Sequence, residues 1–189
     1  VIVPIYRDEE GQKKVMEVAE KIEKELKAEG VTVKLDDDEN RKPGWKFAEY
    51  ELKGVPLRIA IGPRDVENGV VELARRDTQE KSSIPQENIG TRISALLDEI
   101  QESIYNKALT YRDEHITEVN DYNEFKEVLE SKGGFISAHW DGTEESEQKI
   151  KEETKATIRC ILLNNKQENG KCIYSGNPSS QRVIFAKAY

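Results

Sequence analysis

Residues 43–81 read PGWKFAEYELKGVPLRIAIGPRDVENGVVELARRDTQEK, and the reading of this stretch decides the fold. Pro43-Gly44 opens a helix carrying Phe47, Tyr50 and Leu52, since a proline in the first helical turn gives up no hydrogen bond there. Gly54 closes it. Residues 55–61 are a β-branched run suited to a strand. Gly62-Pro63-Arg64-Asp65 reads as a turn, and residues 69–74 and 77–83 read as two further strands joined around Arg76-Asp77. Phe47 and Glu51 are four apart and so share a helix face. Charged side chains therefore recur where a half-buried layer would present them together.

Upstream, residues 1–5 form a short apolar strand. Val15, Val18, Ala19, Ile22 and Leu26 then recur at helical spacing until Gly30. Val31, Val33 and Leu35 alternate with polar residues as a second strand, giving a strand–helix–strand unit fit for a right-handed crossover. Downstream, Pro85 is expected to open a long helix striped by Ile89, Ile93, Leu96, Leu97, Ile100 and Ile104. The expected fold is an α/β domain over residues 1–107, a mixed sheet with flanking helices and about three strands in parallel. Residues 108–189 change character and predict a small α+β domain. Its helices are expected at 122–132 and 144–154, and its strands at 135–140, 158–163, 171–174 and 183–188.

Composition narrows the function. The 189-residue chain is 35% charged with a net charge of −8, which argues against coating nucleic acid by charge alone. Base readout in a loop remains open, because the two N–H donors on a guanine Watson–Crick edge suit the two oxygens of Glu or Asp. No apolar run is long enough to span a bilayer, so no membrane partner is expected. Cys160 and Cys172 are too few for a disulfide scaffold, and a cytoplasmic location is expected. The chain starts on Val1 within a strand, which predicts a piece of a longer protein.

The chemistry-bearing groups are sparse. Asp36-Asp37-Asp38-Glu39 lacks the Gly and distal Glu of an EF-hand and reads as a solvated turn. Gly62–Asp65 lacks the pattern of a phosphate loop. His115 and His139 have no Ser or Cys partner, and no catalytic residue is expected. Cys160 reads as a small buried hydrophobe. A metal site from His139, Asp141, Cys160 and Cys172 has no standard spacing.

WKFAEYELKGVPLRIAIGPRD, with the RRDT segment after it, resembles the anticodon-binding domain of class II aminoacyl-tRNA synthetases, and within them prolyl-tRNA synthetases of the archaeal and eukaryotic type. IKEETKATIRCILL and GKCIYSGNPSSQRVIFAKAY resemble the C-terminal domain of the same family. The resemblance implies that Phe47, Glu51, Arg58, Asp65 and Lys81 face the anticodon of tRNA(Pro), which carries guanine at its second and third positions. Glu51 and Asp65 would accept from guanine N–H groups, Arg58 and Lys81 would serve phosphate or O6/N7 acceptors, and Phe47 would stack. The alternative for Glu51 and Arg58 is a surface ion pair worth under about 1 kcal/mol. Ala60 departs from the glutamate of many relatives and should lessen local negative charge.

The family's four zinc-binding cysteines fall on Asp141, Ser146, Cys172 and Ser175. With most of the thiolates replaced, no zinc is expected. The terminal Tyr189 would reach towards a catalytic domain outside these residues. No cofactor is implied for this segment. A parent ligase would use ATP and Mg²⁺ to join proline to tRNA(Pro), as a homodimer. A stand-alone RNA-binding module and a protein-interaction module of the same fold are the other readings.

Overall fold

The computed structural model describes residues 1–187, so the expectation for Tyr189 lies outside the described residues. The chain divides into two compact units, Val1–Asn106 and Lys107–Tyr189. The elements of the first are β1 (Ile2–Pro4), α1 (Glu9–Ala28), α2 (Pro43–Leu52), β2 (Leu57–Ile61), α3 (Pro63–Glu67), β3 (Val70–Arg75) and β4 (Lys81–Pro85). They are followed by α4 (Ile89–Glu114).

Asp8 starts α1 by accepting from the Gly11 N–H at 2.7 Å, and Glu9 and Glu10 in the first turn oppose the positive end of the helix dipole. The helix buries the stripe read from the sequence: Val15, Ala19, Ile22 and Leu26. These side chains meet Leu57, Ile59 and Ile61 of β2, Val71 and Leu73 of β3, and Ile89, Ile93 and Ile100 of α4 in one core. Each such residue contributes about 1.5–3 kcal/mol by leaving water. The sheet has the order β1-β2-β3-β4, with β1 and β2 parallel and the remaining pairs antiparallel. It is the mixed sheet with flanking helices that the sequence predicts.

Several boundaries differ from expectation. Residues 31–35 make only one bridge, Leu35 to Ile2, parallel to β1. Two bonds hold it, Ile2 N–H to the Lys34 carbonyl and Asp36 N–H to the Ile2 carbonyl, so the third parallel strand is an edge contact rather than a full ladder. The Gly62–Asp65 turn opens into the short helix α3. Pro85 ends β4, paired with Val70, instead of opening the long helix, which starts at Ile89. A proline with no N–H to donate is tolerated at a strand end. Leu52 and Ile104 are 85% and 49% exposed, so neither is core.

The second unit contains β5 (Ile116–Glu118), α5 (Tyr122–Ser131), β6 (Phe135–His139), α6 (Glu144–Thr154), β7 (Ala156–Cys160), β8 (Gly170–Lys171), β9 (Pro178–Ser179) and β10 (Arg182–Lys187). Its main sheet runs β5-β6-β10-β7, and β8 and β9 pair separately. Phe125 of α5 and Phe185 of β10 meet edge-to-face, ring centroids 5.3 Å apart, in the centre of its core. The sequence missed β5 and β9, which are too short to show a period. Strand β7 ends at Cys160, which is exposed, not buried, and Ile161, Leu162 and Leu163 that follow are exposed as well.

Candidate functional site

The strand register assembles the site. Arg58 on β2 lies opposite Ala74 on β3, and Ala74 lies opposite Lys81 on β4. Directly paired residues point to the same side of a sheet. Arg58, Ala74 and Lys81 thus form a row on the face away from Leu57, Ile59 and Ile61. With strands about 4.8 Å apart, Lys81 sits about 10 Å from Arg58 at the backbone.

Helix α2 crosses the Arg58 end of this row. Its last turn is closed by Gly54, whose positive φ of 77° suits a residue without Cβ, and whose N–H donates to the Glu51 carbonyl. That places Phe47 against β2. The Arg58 guanidinium lies over the Phe47 ring, 3.5 Å from its centroid. Phe47, Tyr50, Glu51, Val55, Arg58, Ala74, Arg75 and Arg76 line the small pocket that results.

Arg58 is the unusual group. It is 7% exposed, yet its Nε and Nη2 have no hydrogen-bond partner among the described residues. Glu72 Oε1 is 3.7 Å from Nη2, close enough for charge attraction and too far for a hydrogen bond. Burial pushes the guanidinium pKa down, and the Glu72 and Glu51 carboxylates oppose that shift. The expected alternative of a surface ion pair with Glu51 is not what the fold builds, because α2 covers Arg58. A buried donor without an acceptor costs about 1–3 kcal/mol, which a ligand acceptor would recover.

Asp65 is elsewhere. Its Oδ2 accepts from the Gly62 N–H at 2.8 Å, capping α3 at the far end of β2. Arg58 is three residues from the end of β2, about 10 Å along the strand, and Asp65 lies beyond that end. The structure brings Phe47, Glu51 and Arg58 together at one pocket, with Lys81 two strands away on the same face and Asp65 beyond the far end of β2.

Sequence reasoning passed over three groups near the site. Glu72 lies opposite Ala60 and Ser83, one row along the same face, so a carboxylate stands beside the position where Ala60 lacks one. Arg76 borders the pocket. Asp36, read as part of a solvated turn, is buried under α2: its Oδ2 accepts from Tyr50 OH at 2.9 Å, and Lys46 Nζ lies 3.1 Å from its Oδ1. Burial alone would raise the Asp36 pKa, but the hydrogen bonds from Lys46 and Tyr50 outweigh it and hold the group low. This pair anchors the helix that carries Phe47 and Glu51. Its sequence signal is slight, a lysine on the tyrosine side of an amphipathic helix.

In the second unit, the positions matching the family's zinc ligands do come together. Asp141 Oδ1 accepts from Ser146 Oγ at 2.6 Å and Thr143 Oγ1 at 2.8 Å, and Oδ2 accepts from Ser175 Oγ at 2.6 Å. Burial favours the neutral acid, but these hydroxyl donors prevail and hold the Asp141 carboxyl well below the usual carboxylate range. The hydroxyls are turned onto the carboxylate, and serine is a poor zinc ligand, so the residues do not fit the metal. Among the described residues no group of three His, Cys, Asp or Glu side chains could hold a metal ion. Cys172 is buried beside this cluster, in the loop closed by β8 and β9. His139 is also buried, its Nδ1 3.1 Å from Ser179 Oγ. A Cβ on Gly170 would run into the His139 ring, so only glycine fits there. His115 packs on Tyr111, ring centroids 3.9 Å apart.

Among the described residues no helix is long and apolar enough to cross a membrane. The anticodon binding domain family matches residues 1–96, and the family described as prolyl-tRNA synthetase, C-terminal matches residues 122–189. The proline–tRNA ligases of Christiangramia forsetii, Flavobacterium psychrophilum and Porphyromonas gingivalis are 59%, 58% and 57% identical to this chain. Each of these alignments covers 100% of the chain, which spans 38% of the relative's length. The chain belongs to the anticodon binding domain family.

Proposed function

We propose that this member of the anticodon binding domain family reads the anticodon of tRNA(Pro) for a longer proline–tRNA ligase, through Phe47, Glu51, Arg58 and Lys81. One observation carries the reading: a buried guanidinium stacked on an aromatic ring, with donors unpartnered among the described residues, bordering a pocket at the surface. A guanine offers O6 and N7 acceptors to such a donor, two N–H groups to the Glu51 carboxylate, and a face for stacking. Lys81 supplies a solvated cation for the RNA backbone. Asp65 is left out because its carboxylate is engaged at the N-terminus of α3. The boundary between the domains falls near residue 107, and the second is held by its own packing rather than by a metal.

The parent enzyme would activate proline with ATP and Mg²⁺ in a separate domain and act in the cytoplasm as a homodimer. No observation favours a stand-alone RNA-binding or protein-interaction module. The test is aminoacylation by the full-length ligase of tRNA(Pro) transcripts with either anticodon guanine replaced. Glu51→Ala should lower kcat/KM for the native transcript by about 1–3 kcal/mol and narrow discrimination against the replaced ones. Proline activation should be unchanged. Equal losses in both reactions, or none in either, would overturn the proposal.

A further inference from the structure

Arg75 and Arg76 are consecutive in sequence and opposite in circumstance. Arg75 belongs to the core side of the sheet, opposite Leu57, and its guanidinium is held by two carboxylates. Its Nε and Nη2 donate to the two oxygens of Asp77 at 3.1 and 2.8 Å, and Nη1 donates to Glu99 at 2.6 Å. These contacts raise its pKa above the ordinary arginine value, the bonds to Asp77 first. Each of its three nitrogens is already engaged by a carboxylate.

Arg76 is fixed at its root and free at its tip. Its backbone N–H donates to the Pro56 carbonyl at 3.0 Å, and its Nε donates to the Glu51 carbonyl in the last turn of α2 at 2.9 Å. Its Nη1 and Nη2 have no partner among the described residues, and the side chain is exposed at the rim of the pocket that holds Arg58 and Phe47. Anchoring one nitrogen removes much of the rotamer entropy that a loose arginine gives up on binding. What remains is a planar pair of NH₂ groups in the geometry that grips two oxygens of a phosphate.

Resting on the anticodon-reading function above, we propose that Arg76 clamps a backbone phosphate of the RNA bound over this rim, contributing affinity that is independent of base identity. Arg58 is buried beneath α2, whereas the Arg76 tip is exposed at the rim, where a sugar–phosphate chain can reach it. The division of labour predicts different behaviour in salt. A phosphate contact on single-stranded nucleic acid adds about 0.7 to the steepness of log affinity against log salt, and a base contact adds almost nothing.

The experiment measures binding of full-length ligase to tRNA(Pro), native and with one anticodon guanine replaced, across a fourfold range of salt. Arg76→Gln should weaken binding to both transcripts by the same factor and flatten the salt slope by about 0.7, so that its affinity falls roughly 2.6-fold less over that range. Arg76→Lys should retain the slope, because a point charge still meets the phosphate, while losing part of the affinity that the fork provides. The melting temperature should stay within a degree or two of the parent's. An unchanged slope in Arg76→Gln, with or without a lowered melting temperature, would make Arg76 only a tie between the turn and α2. A collapse of the native-to-replaced ratio would make it a base reader. Either result overturns the clamp. Indifference of the unmutated ligase to the anticodon would instead overturn the reading beneath it.

Discussion

Two regions hold a charged group and treat it in opposite ways. Under α2, Arg58 is buried with Nε and Nη2 unpartnered among the described residues. In the second unit, Asp141 receives Ser146, Thr143 and Ser175 hydroxyls at 2.6–2.8 Å. A charge satisfied by its neighbours holds a fold together, whereas a buried unsatisfied one holds a place for something else. The difference separates a scaffold from a site without appeal to residue type, since both groups are ionised and both sit among polar neighbours.

The sharpest test of that contrast is Arg58→Met. The cation–π contact with Phe47 is worth about 0.5–2 kcal/mol, and the orphaned donors cost about 1–3 kcal/mol, so the exchange should leave stability unchanged or raise it. Recognition should suffer: kcat/KM of the full-length ligase for tRNA(Pro) should drop by about 1–3 kcal/mol, roughly 5- to 150-fold. Urea titration of the chain beside aminoacylation of the parent checks both halves. A large loss of stability would show that Arg58 is scaffold.

Asp141→Ala should behave in the reverse sense. It strands the hydroxyl donors and should destabilise the chain by about 1–3 kcal/mol while leaving anticodon discrimination intact. The folded-state pKa of Asp141 is depressed, so its contribution is present above the unfolded value near 3.9 and is lost as pH falls through the folded one. The variant should therefore show a flatter acid limb below about pH 4 in thermal melts. Chelation with EDTA should not move the melting temperature of either protein, unlike that of a zinc-dependent fold. A chelator-induced drop would return the metal to this cluster.

The smallest effect is expected of Asp65→Ala. Loss of the contact to the Gly62 N–H should cost about 0.5–2 kcal/mol of stability, as for other lost helix caps. The ratio of native to anticodon-substituted tRNA should not change. A changed ratio would extend the reading surface to the far end of β2 and blur the division between site and scaffold.

Much of this was legible in the chain. The stripe Val15, Ala19, Ile22, Leu26 gives α1 because a period near 3.6 can bury only one helix face. The helix at residues 144–154 is likewise evident, from Thr143 as its cap and the acidic first turn that follows. The site was half legible. Phe47 and Glu51 share a face by spacing alone, and the family resemblance supplies Arg58 and Lys81. The same resemblance places Asp65 among them, and the structure assigns that carboxylate to a local cap.

What the sequence determined by itself is whatever depends on near neighbours: helix faces, caps, the alternation within β2, and the replacement of most of the thiolates in the second unit. What only the tertiary structure decided is what happens between residues far apart in the chain. The register Arg58–Ala74–Lys81 is one case, since a slip of one residue would turn each side chain to the opposite face. The burial of Asp36 against Lys46 is another, and the different fates of Arg75 and Arg76 are a third. In each, a polar group's role is set by whether a partner is present within about 3 Å, and that distance is a property of packing.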